Sequence, residues 1–311
     1  MIDPRLQTLR VLEHHGNVTR AAAALNVSPS TVSHQLHQLS RDLGVPLLQP
    51  DGRGVRLTSA ARVVIAHANV LCEEWERARA ELASHTAGEP TELRLCGVSS
   101  AIAGFLAPTA ALLRSRYAKT TVAVHQASCA GSFALLLAEQ ADVAVVLSTA
   151  DNPPTDDVRF EQQVLLDDPV DLLVPRSHRL AERAGVALTE AAREPWIQDP
   201  DRADQYDLIR TACAAAGFTP RIVHRATEWF AISALVSHGL GVCMLPRLVP
   251  VPPEHAVTRV PLHGTVRPYR RMITAIRRGS GRQPAVSAGL DAVRAVASDV
   301  IREKKLRTAF E

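Results

Sequence analysis

The sequence predicts an α/β protein built from three consecutive parts: a small helical unit with a hairpin, one long helix, and a two-lobed α/β region. Three observations predict this order. Apolar residues recur at helical spacing in the first part of the chain, and a glycine-bearing turn between two short apolar arms follows them. Beyond residue 90, short apolar strands alternate with helices, which is typical of an α/β sheet.

Residues 19–44 read TRAAAALNVSPSTVSHQLHQLSRDLG and predict two short helices separated by a break at residues 26–28. Ser28 is the expected N-cap of the second helix, and Pro29 lies in its first turn. Four apolar residues form its predicted buried face: Val32, Leu36, Leu39 and Leu43. The remaining residues are polar: Ser30, Thr31, Ser33, His34, Gln35 and Gln38. Such side chains can contact phosphates and base edges in a DNA major groove, although an ordinary helical hairpin with a polar outer face remains the alternative.

The segment PDGRGVRLT at residues 50–58 predicts a hairpin beside the two helices, as in the wing of a winged helix-turn-helix. Arg53 is expected at its tip. A guanidinium there can reach a backbone phosphate or enter the neighbouring minor groove. The alternative is a solvated hairpin arginine with no ligand.

A single long helix is predicted from residue 59 to about residue 88, where Gly88 and Pro90 end it. Apolar residues follow one another at three- and four-residue steps: Ala61, Val64, Ala68, Leu71, Trp75, Ala78 and Leu82. A helix that pairs with its twin in a second copy of the chain requires such a stripe. Packing against the chain's own domain is the alternative.

The α/β region predicts two lobes. The first contains strands at residues 93–98, 121–126 and 143–147, with helices at residues 102–117 and 133–138. The second contains strands at residues 171–175, 221–224 and 242–245, with helices at residues 206–216 and 229–238. A further strand is expected at residues 272–276 and a further helix at residues 285–301.

The order of these parts, the RGVRLT wing, and the segments DLLVPRSHRL and ALVSHGLGVCMLP together resemble the LysR-type transcriptional regulators over nearly the whole length. The resemblance implies a winged helix-turn-helix DNA-binding domain at residues 1–58 and a linker and dimerisation helix at residues 59–88. It also implies an effector-binding domain of the periplasmic-binding-protein type at residues 91–311, with lobe I at about 91–166 and 268–301 and lobe II at about 167–267. Because the chain of this family crosses twice between the lobes, the strand at 272–276 and the helix at 285–301 are expected to return to lobe I, with connections near residues 167–169 and 262–268. The expected partners are double-stranded DNA with an interrupted inverted repeat, a small-molecule effector, and further copies of the chain in a homodimer or homotetramer.

The resemblance also implies which residues approach DNA. Ser30, Ser33, His34 and Arg53 correspond to family positions that commonly do so, and helix geometry adds Thr31 and Gln35. Two positions depart from the family pattern, because many members carry a basic residue where Pro50 stands and an arginine where His34 stands. Both departures remove positive charge, which weakens phosphate binding or makes it more sensitive to pH.

Hydroxyl side chains follow each of the three first-lobe strands. They are Ser99 and Ser100, then Ser128, then Ser148 and Thr149. Ligands of open α/β sheets collect at the carboxyl ends of strands, beside helix N-termini that favour anions. The resemblance places Gln198 and Thr227 in the facing positions of the second lobe. We therefore expect a small polar or carboxylated effector, while the alternative for each serine is an ordinary helix N-cap.

Composition excludes several other classes. The 311 residues are 46% hydrophobic, and no stretch approaches the roughly 20 uninterrupted apolar residues of a membrane helix. The amino terminus has no apolar signal-peptide core, so we expect a cytoplasmic protein without membrane contact. The formal net charge is +3, and residues 1–58 hold six arginines against four acids, so charge alone would not predict DNA binding.

Neither a metal site, a cofactor nor an enzymatic activity is expected. The five cysteines are widely spaced and form no CxxC pair, so they indicate neither a zinc site nor a disulfide framework: Cys72, Cys96, Cys129, Cys213 and Cys243. The sequence contains no GxSxG, P-loop or HExxH motif. The first alternative is a DNA-binding regulator that needs no ligand, and the less favoured alternatives are a small-molecule-binding protein or an enzyme.

Overall fold

The computed structural model describes residues 2–52, 54–85, 92–198 and 203–310. Within these ranges the chain forms two compact units. Unit 1 combines Met1–Val146, Ala150–Leu165 and Ile273–Glu311, and unit 2 combines Leu147–Thr149 and Leu166–Met272. Two long strands, β6 (Phe160–Pro175) and β13 (Tyr269–Arg277), contribute residues to both units.

Unit 1 begins with three helices: α1 (Pro4–His15), α2 (Val18–Ala24) and α3 (Pro29–Leu43). Each is capped by the side chain of the residue before it, because Asp3, Asn17 and Ser28 accept hydrogen bonds from backbone N–H groups of the first turn. The predicted break at residues 26–28 and the predicted cap at Ser28 are therefore confirmed. We refer to these three helices and the hairpin that follows as the head.

The buried face of α3 is one turn shorter than predicted. Val32, Leu36 and Leu39 are almost fully buried, as expected, but Leu43 is 45% exposed. Leu43 lies in the last turn, directly before Gly44, whose left-handed backbone (φ 68°) turns the chain away from the helix. The helical core therefore ends at Leu39, and the prediction was wrong for Leu43.

A two-stranded hairpin follows α3, as predicted. β1 (Leu48–Asp51) and β2 (Gly54–Leu57) pair antiparallel, with Leu48 opposite Leu57. The side chain of Thr58 accepts from the Ala61 N–H at 3.1 Å and donates to the Pro46 carbonyl at 2.7 Å. This residue thereby joins the base of the hairpin to the helix that follows it.

That helix, α4 (Ser59–Ser84), has 26 residues, which corresponds to a length of about 39 Å. The single apolar stripe predicted for it divides into two faces. Ala61 and Ala68 are buried within the chain, whereas Leu71 is 51% and Leu82 61% exposed. The prediction was therefore wrong for the two alanines, because one face of α4 packs against its own unit.

The remainder of unit 1 contains a sheet with flanking helices. Next to β13 this sheet contains, in order, β5 (Val143–Leu147), β3 (Glu92–Gly97) and β4 (Thr121–Gln126), and β3 pairs in parallel with β4 and β5. Since Gly97 lies opposite both Gln126 and Val145, the carboxyl ends of these strands meet at one edge. The elements are β3 (Glu92–Gly97), α5 (Ser99–Ala101), a π-helical turn (Ile102–Leu106), α6 (Ala107–Arg116), β4 (Thr121–Gln126), α7 (Cys129–Leu137), β5 (Val143–Leu147) and α10 (Pro284–Phe310).

Unit 2 is built on the second half of β6, which pairs antiparallel with two later strands. A separate pair of short parallel strands is formed by β8 (Pro195–Ile197) and β9 (Arg221–His224). Trp196 of β8 is fully buried, and its indole N–H donates to the Ala191 carbonyl at 3.2 Å. The elements are β7 (Val186–Ala187), β8 (Pro195–Ile197), α8 (Ala203–Ala215), β9 (Arg221–His224), α9 (Trp229–Ser237), β10 (Cys243–Pro246), β11 (Val257–Val260) and β12 (Leu262–His263). Among the described helices of both units, none combines the length and the apolar character needed to cross a bilayer.

Unit 1 is held together by one buried arginine. Arg277 of β13 is 7% exposed, and its Nε lies 2.6 Å from a carboxylate oxygen of Glu76 on α4. The same guanidinium bonds Asp142 at 3.1 Å, the Leu136 carbonyl at 3.3 Å and the Ala141 carbonyl. Burial disfavours its charged form, but the two carboxylates outweigh burial and hold the pKa of Arg277 above its usual value.

Replacing Arg277 by alanine is expected to destabilise unit 1 strongly. The substitution leaves the Glu76 and Asp142 carboxylates without their shared partner, and breaking a buried ion pair in this way costs about 3–5 kcal/mol. Denaturant unfolding measures the loss. Arg282→Ala is the matched control, because Arg282 is exposed and an exposed arginine contributes little. Equal stability of the two variants would contradict the central role of Arg277.

Candidate functional site

The reading face of the head, defined by Ser30, Ser33, His34 and His37, lies on the side of α3 opposite its buried residues. These positions follow one another at steps of three, one and three, so they share one side of a helix. Ser30, His34 and His37 are exposed, and Ser33 is half-buried. Reasoning from the sequence missed His37, although its three-residue spacing from His34 is a signal that could have found it.

The first turn of α3 carries a cluster of three hydroxyl groups. The Ser28 Oγ lies 2.7 Å from the Ser30 Oγ and 2.9 Å from the Thr31 Oγ1, and it accepts from the Thr31 N–H at 3.1 Å. The hydroxyls of the predicted DNA-contacting residues Ser30 and Thr31 are therefore hydrogen-bonded to the N-cap residue Ser28. Of the two, Ser30 is the more exposed.

Gln35, also predicted to contact DNA, lies at the border of the reading face towards α1. The Thr8 hydroxyl donates to the Gln35 Oε1 at 2.6 Å, and Thr8 is 4% exposed. The carbonyl of Gln35 thus faces into the head, and this bond ties α1 to α3.

The wing and its surroundings supply positive charge. Arg53, the predicted tip residue, lies outside the described residues. Arg56 on β2, Arg20 on α2 and Arg41 on α3 all expose their side chains. Reasoning from the sequence did not select these three arginines, because their exposure depends on how the helices and the hairpin pack.

The head is anchored to the rest of unit 1 through α1. Arg10 is buried, and it donates to the Asn69 Oδ1 of α4 at 2.7 Å. At the C-terminal end of α1, His14 lies close to Arg159 and Asp157. Burial, together with the nearby positive charge of Arg159, lowers the pKa of His14 to about 4. The docked head therefore holds this imidazole in its neutral form.

Three of the predicted effector residues lie at the shared edge of the parallel sheet in unit 1. Ser99 is the first residue of α5, directly after β3, and Ser100 beside it is buried. Ser128 follows β4 and caps α7, since its Oγ accepts from the Gly131 N–H at 3.1 Å. Ser128 therefore caps α7, and its effector contact stays a prediction, whereas the cap position before α5 is Val98.

Four of the predicted effector residues belong to unit 2: Ser148, Thr149, Gln198 and Thr227. Gln198 directly follows β8 and Thr227 lies three residues beyond β9, so the parallel pairing of these strands places both residues at one edge. Gln198 is 4% exposed, yet among the described residues neither its amide oxygen nor its amide nitrogen has a hydrogen-bond partner. A buried amide without partners costs about 1–3 kcal/mol.

All five cysteines are free thiols. Burial raises the pKa of Cys96, Cys213 and Cys243 to about 12, which keeps these three thiols protonated and unreactive at neutral pH. Within the described ranges, no group of three or more His, Cys, Asp or Glu side chains is placed to hold a metal ion.

Two family models match the chain. The model for the bacterial regulatory helix-turn-helix protein, lysR family, matches residues 4–62, and the model for the LysR substrate binding domain matches residues 86–298. The first range covers the head and the start of α4. The second covers the α/β region that carries the predicted effector residues.

Individual proteins show the same likeness. The chain is 30% identical over 255 residues to the uncharacterized HTH-type transcriptional regulator YnfL of Escherichia coli K12, covering 78% of this chain and 84% of that protein. The structure of full-length OxyR C199D from Pseudomonas aeruginosa aligns with a TM-score of 0.65 at 20% identity, covering 94% and 95% of the two chains. Full-length CbnR complexed with its target DNA aligns with a TM-score of 0.54 at 22% identity, covering 96% and 100%. These two structures share the fold of this chain.

The buried, neutral His14 is expected to make the protein sensitive to acid. Its pKa is about 4 in the folded chain and 6.5 when exposed, so the unfolded state binds the proton first as the pH falls. Stability is therefore lost between about pH 6.5 and about pH 4. Unfolding midpoints measured across this range should fall less for His14→Gln than for the natural chain. His238→Gln, on an exposed residue of unit 2, is the control. Parallel curves for all three proteins would contradict the assignment.

Proposed function

Because the chain belongs to the LysR family of transcriptional regulators, we propose that it binds duplex DNA through the reading face of α3 and responds to a small polar molecule that contacts Gln198. The protein is a DNA-binding regulator with a substrate-binding domain, as its family defines it. We further propose which residues contact DNA and which chemical class of effector binds.

The exposed polar side of α3 supports the DNA contact. An α-helix fits the major groove, and serine hydroxyls and imidazoles can bond base edges and phosphates there. Ser33 and His34 lie at the middle of the reading face, where a helix approaches the floor of the groove most closely. The exposed arginines Arg20, Arg41 and Arg56 add phosphate contacts that do not depend on sequence.

A second copy of the chain supplies the second reading head. The outer face of α4 exposes apolar side chains, including Val63, Val70, Leu71 and Leu82. Pairing this face with its twin would remove it from water and set two α3 helices at a fixed separation. Because the two heads would be related by two-fold symmetry, they would bind two inverted half-sites of DNA that are separated by a spacer. Pairing also doubles the modest positive charge of one head.

Selection of duplexes from a randomised pool by the purified chain tests both the DNA contact of α3 and the pairing of two chains through α4. The selected sequences are expected to contain two inverted half-sites, with Leu71→Asp yielding single half-sites because a charge would then lie in the apolar seam. His34→Ala and Ser33→Ala are each expected to weaken binding to the selected duplex about ten-fold. His238→Ala on unit 2 is the control. Unchanged affinity of both α3 variants would exclude α3 as the reading element.

The buried side-chain amide of Gln198, which has no hydrogen-bond partner among the described residues, supports the proposal of a polar effector. A buried amide offers one acceptor and two donors, and a ligand with a carboxylate or carbonyl beside a hydroxyl or amine would satisfy them. Ser148, Thr149 and Thr227 supply further polar groups in the same unit. In unit 1, Ser99, Ser100 and Ser128 supply hydroxyls at the edge of the sheet, which is where ligands of such sheets bind.

A thermal-shift screen with small hydroxy, amino and dicarboxylic acids tests the effector site. Gln198→Leu is expected to raise the melting temperature of the free protein, because it removes an uncompensated amide, and to abolish the shift caused by any compound that binds. Gln163→Leu, on an exposed glutamine of unit 1, is the control. A compound whose shift survives Gln198→Leu would contradict the role of this residue. Binding of operator DNA unaffected by every compound would favour a regulator that needs no ligand.

A further inference from the structure

Helices α1 and α7 are in contact within unit 1. The Gln7 side-chain amide donates to the Leu137 carbonyl at the end of α7. Leu9 and Leu12 of α1 are buried in the same core as Leu136 of α7. The DNA-binding head and lobe I of the effector domain are therefore in contact through these two helices.

The C-terminal end of α7 also contacts the second helix of the head. The Gln140 Nε2 donates to the Ala24 carbonyl at 2.6 Å. Ala24 is the last residue of α2, immediately before the turn into α3 in which Asn26 adopts a left-handed backbone (φ 55°). Since the final carbonyls of a helix have no partner within it, Gln140 satisfies a group that would otherwise need water.

The N-terminal end of α7 lies at the sheet edge of unit 1 that carries three of the predicted effector residues. Ser128 caps this helix and follows β4 at the edge of the sheet. Between the two ends, Phe133, Leu136 and Leu137 are buried in one continuous core with Leu9 and Leu12 of α1. A core packed in this way transmits a displacement of α7 to α1 instead of absorbing it.

The path continues from α1 to the reading helix. Thr8 of α1 donates to Gln35 of α3 at 2.6 Å, one residue away from His34. Leu9 and Leu12 share their core with Val32, Leu36 and Leu39. A shift of α1 therefore changes the position or the mobility of the reading face.

We infer that α7 couples the two functions directly within one chain, so that occupancy of the site at Ser128 changes the affinity of the head for DNA through the α1–α7 contact and the Gln140–Ala24 bond. This inference rests on the proposed function and adds the route of regulation. The coupling is reciprocal, because any ligand that changes DNA affinity is itself bound more or less tightly when DNA is bound.

Hydrogen exchange of the full-length chain tests the coupling without an effector. The probe is the duplex selected from a randomised pool. Its binding is expected to change exchange at the backbone amides of residues 128–137 several-fold, although these residues lie outside the reading face. Gln140→Glu, which replaces the donor by a carboxylate facing the Ala24 carbonyl, is expected to bind the duplex and lose this change. Gln140→Lys restores a donor at the same position and is expected to retain it.

A double-mutant cycle on duplex affinity provides the second readout. Ser128→Ala loosens the start of α7, and its effect on affinity is expected to differ at least three-fold between the natural background and the Gln140→Glu background. Residues so far apart along the chain normally act independently, so additive effects within two-fold would overturn the coupling. Melting curves of each variant confirm that it is folded.

The outcomes separate this inference from the function on which it rests. Unchanged exchange at residues 128–137 in the natural chain with bound duplex would overturn the coupling and leave DNA binding intact. A Gln140→Glu protein that responds like the natural chain would also overturn it. Failure to select any duplex would instead overturn the proposed function, and the coupling with it.

Discussion

The buried guanidinium of Arg277 is the interaction on which unit 1 depends. Removing a charged group from water is costly, and here the loss is offset by bonds to Glu76, Asp142 and two backbone carbonyls. The four partners come from three segments: α4, the end of α7, and the two residues directly before β5. One side chain therefore fixes the long helix, the sheet and α7 in a single body, and the head is built on two of these elements.

This anchoring explains how a small head can hold its reading helix in a defined orientation. The three helices have a core of their own, but α1 is also held by α4 through Arg10 and Asn69, and by α7 through the bond of Gln7 to the Leu137 carbonyl. Because these contacts use the inner side of the head, the polar side of α3 stays exposed. Packing and recognition thus occupy opposite surfaces of the same few helices.

Buried polar groups are mostly paired in both units. In unit 1 Asp142 is bonded by Arg94 at 2.8 Å as well as by Arg277, and in unit 2 Arg270 lies 2.6 Å from Asp168. Within the described residues, the side-chain polar atoms of Gln198 in unit 2, and of Thr109 and Ser132 in unit 1, are exceptions without a hydrogen-bond partner. Native proteins leave few such groups unpaired, so each requires an explanation, and for Gln198 we propose a bound ligand.

The sequence by itself determined the local structure, because the responsible interactions join neighbouring residues. The Ser28 cap, the turn after β1 and the alternation of strands and helices are all contained in segments of a few residues. The hydroxyls after the strands of lobe I were equally readable, whereas Gln198 was placed only by the family resemblance, because the short strand before it was not predicted. Tertiary structure alone decided which apolar face of α4 is covered, why Leu43 is exposed, and that Gln35 faces Thr8. It also decided that α7 contacts the head, since Gln7 and Leu137 are separated by 130 residues along the chain. Contacts across such separations leave no periodic signal, because they depend on how whole elements pack.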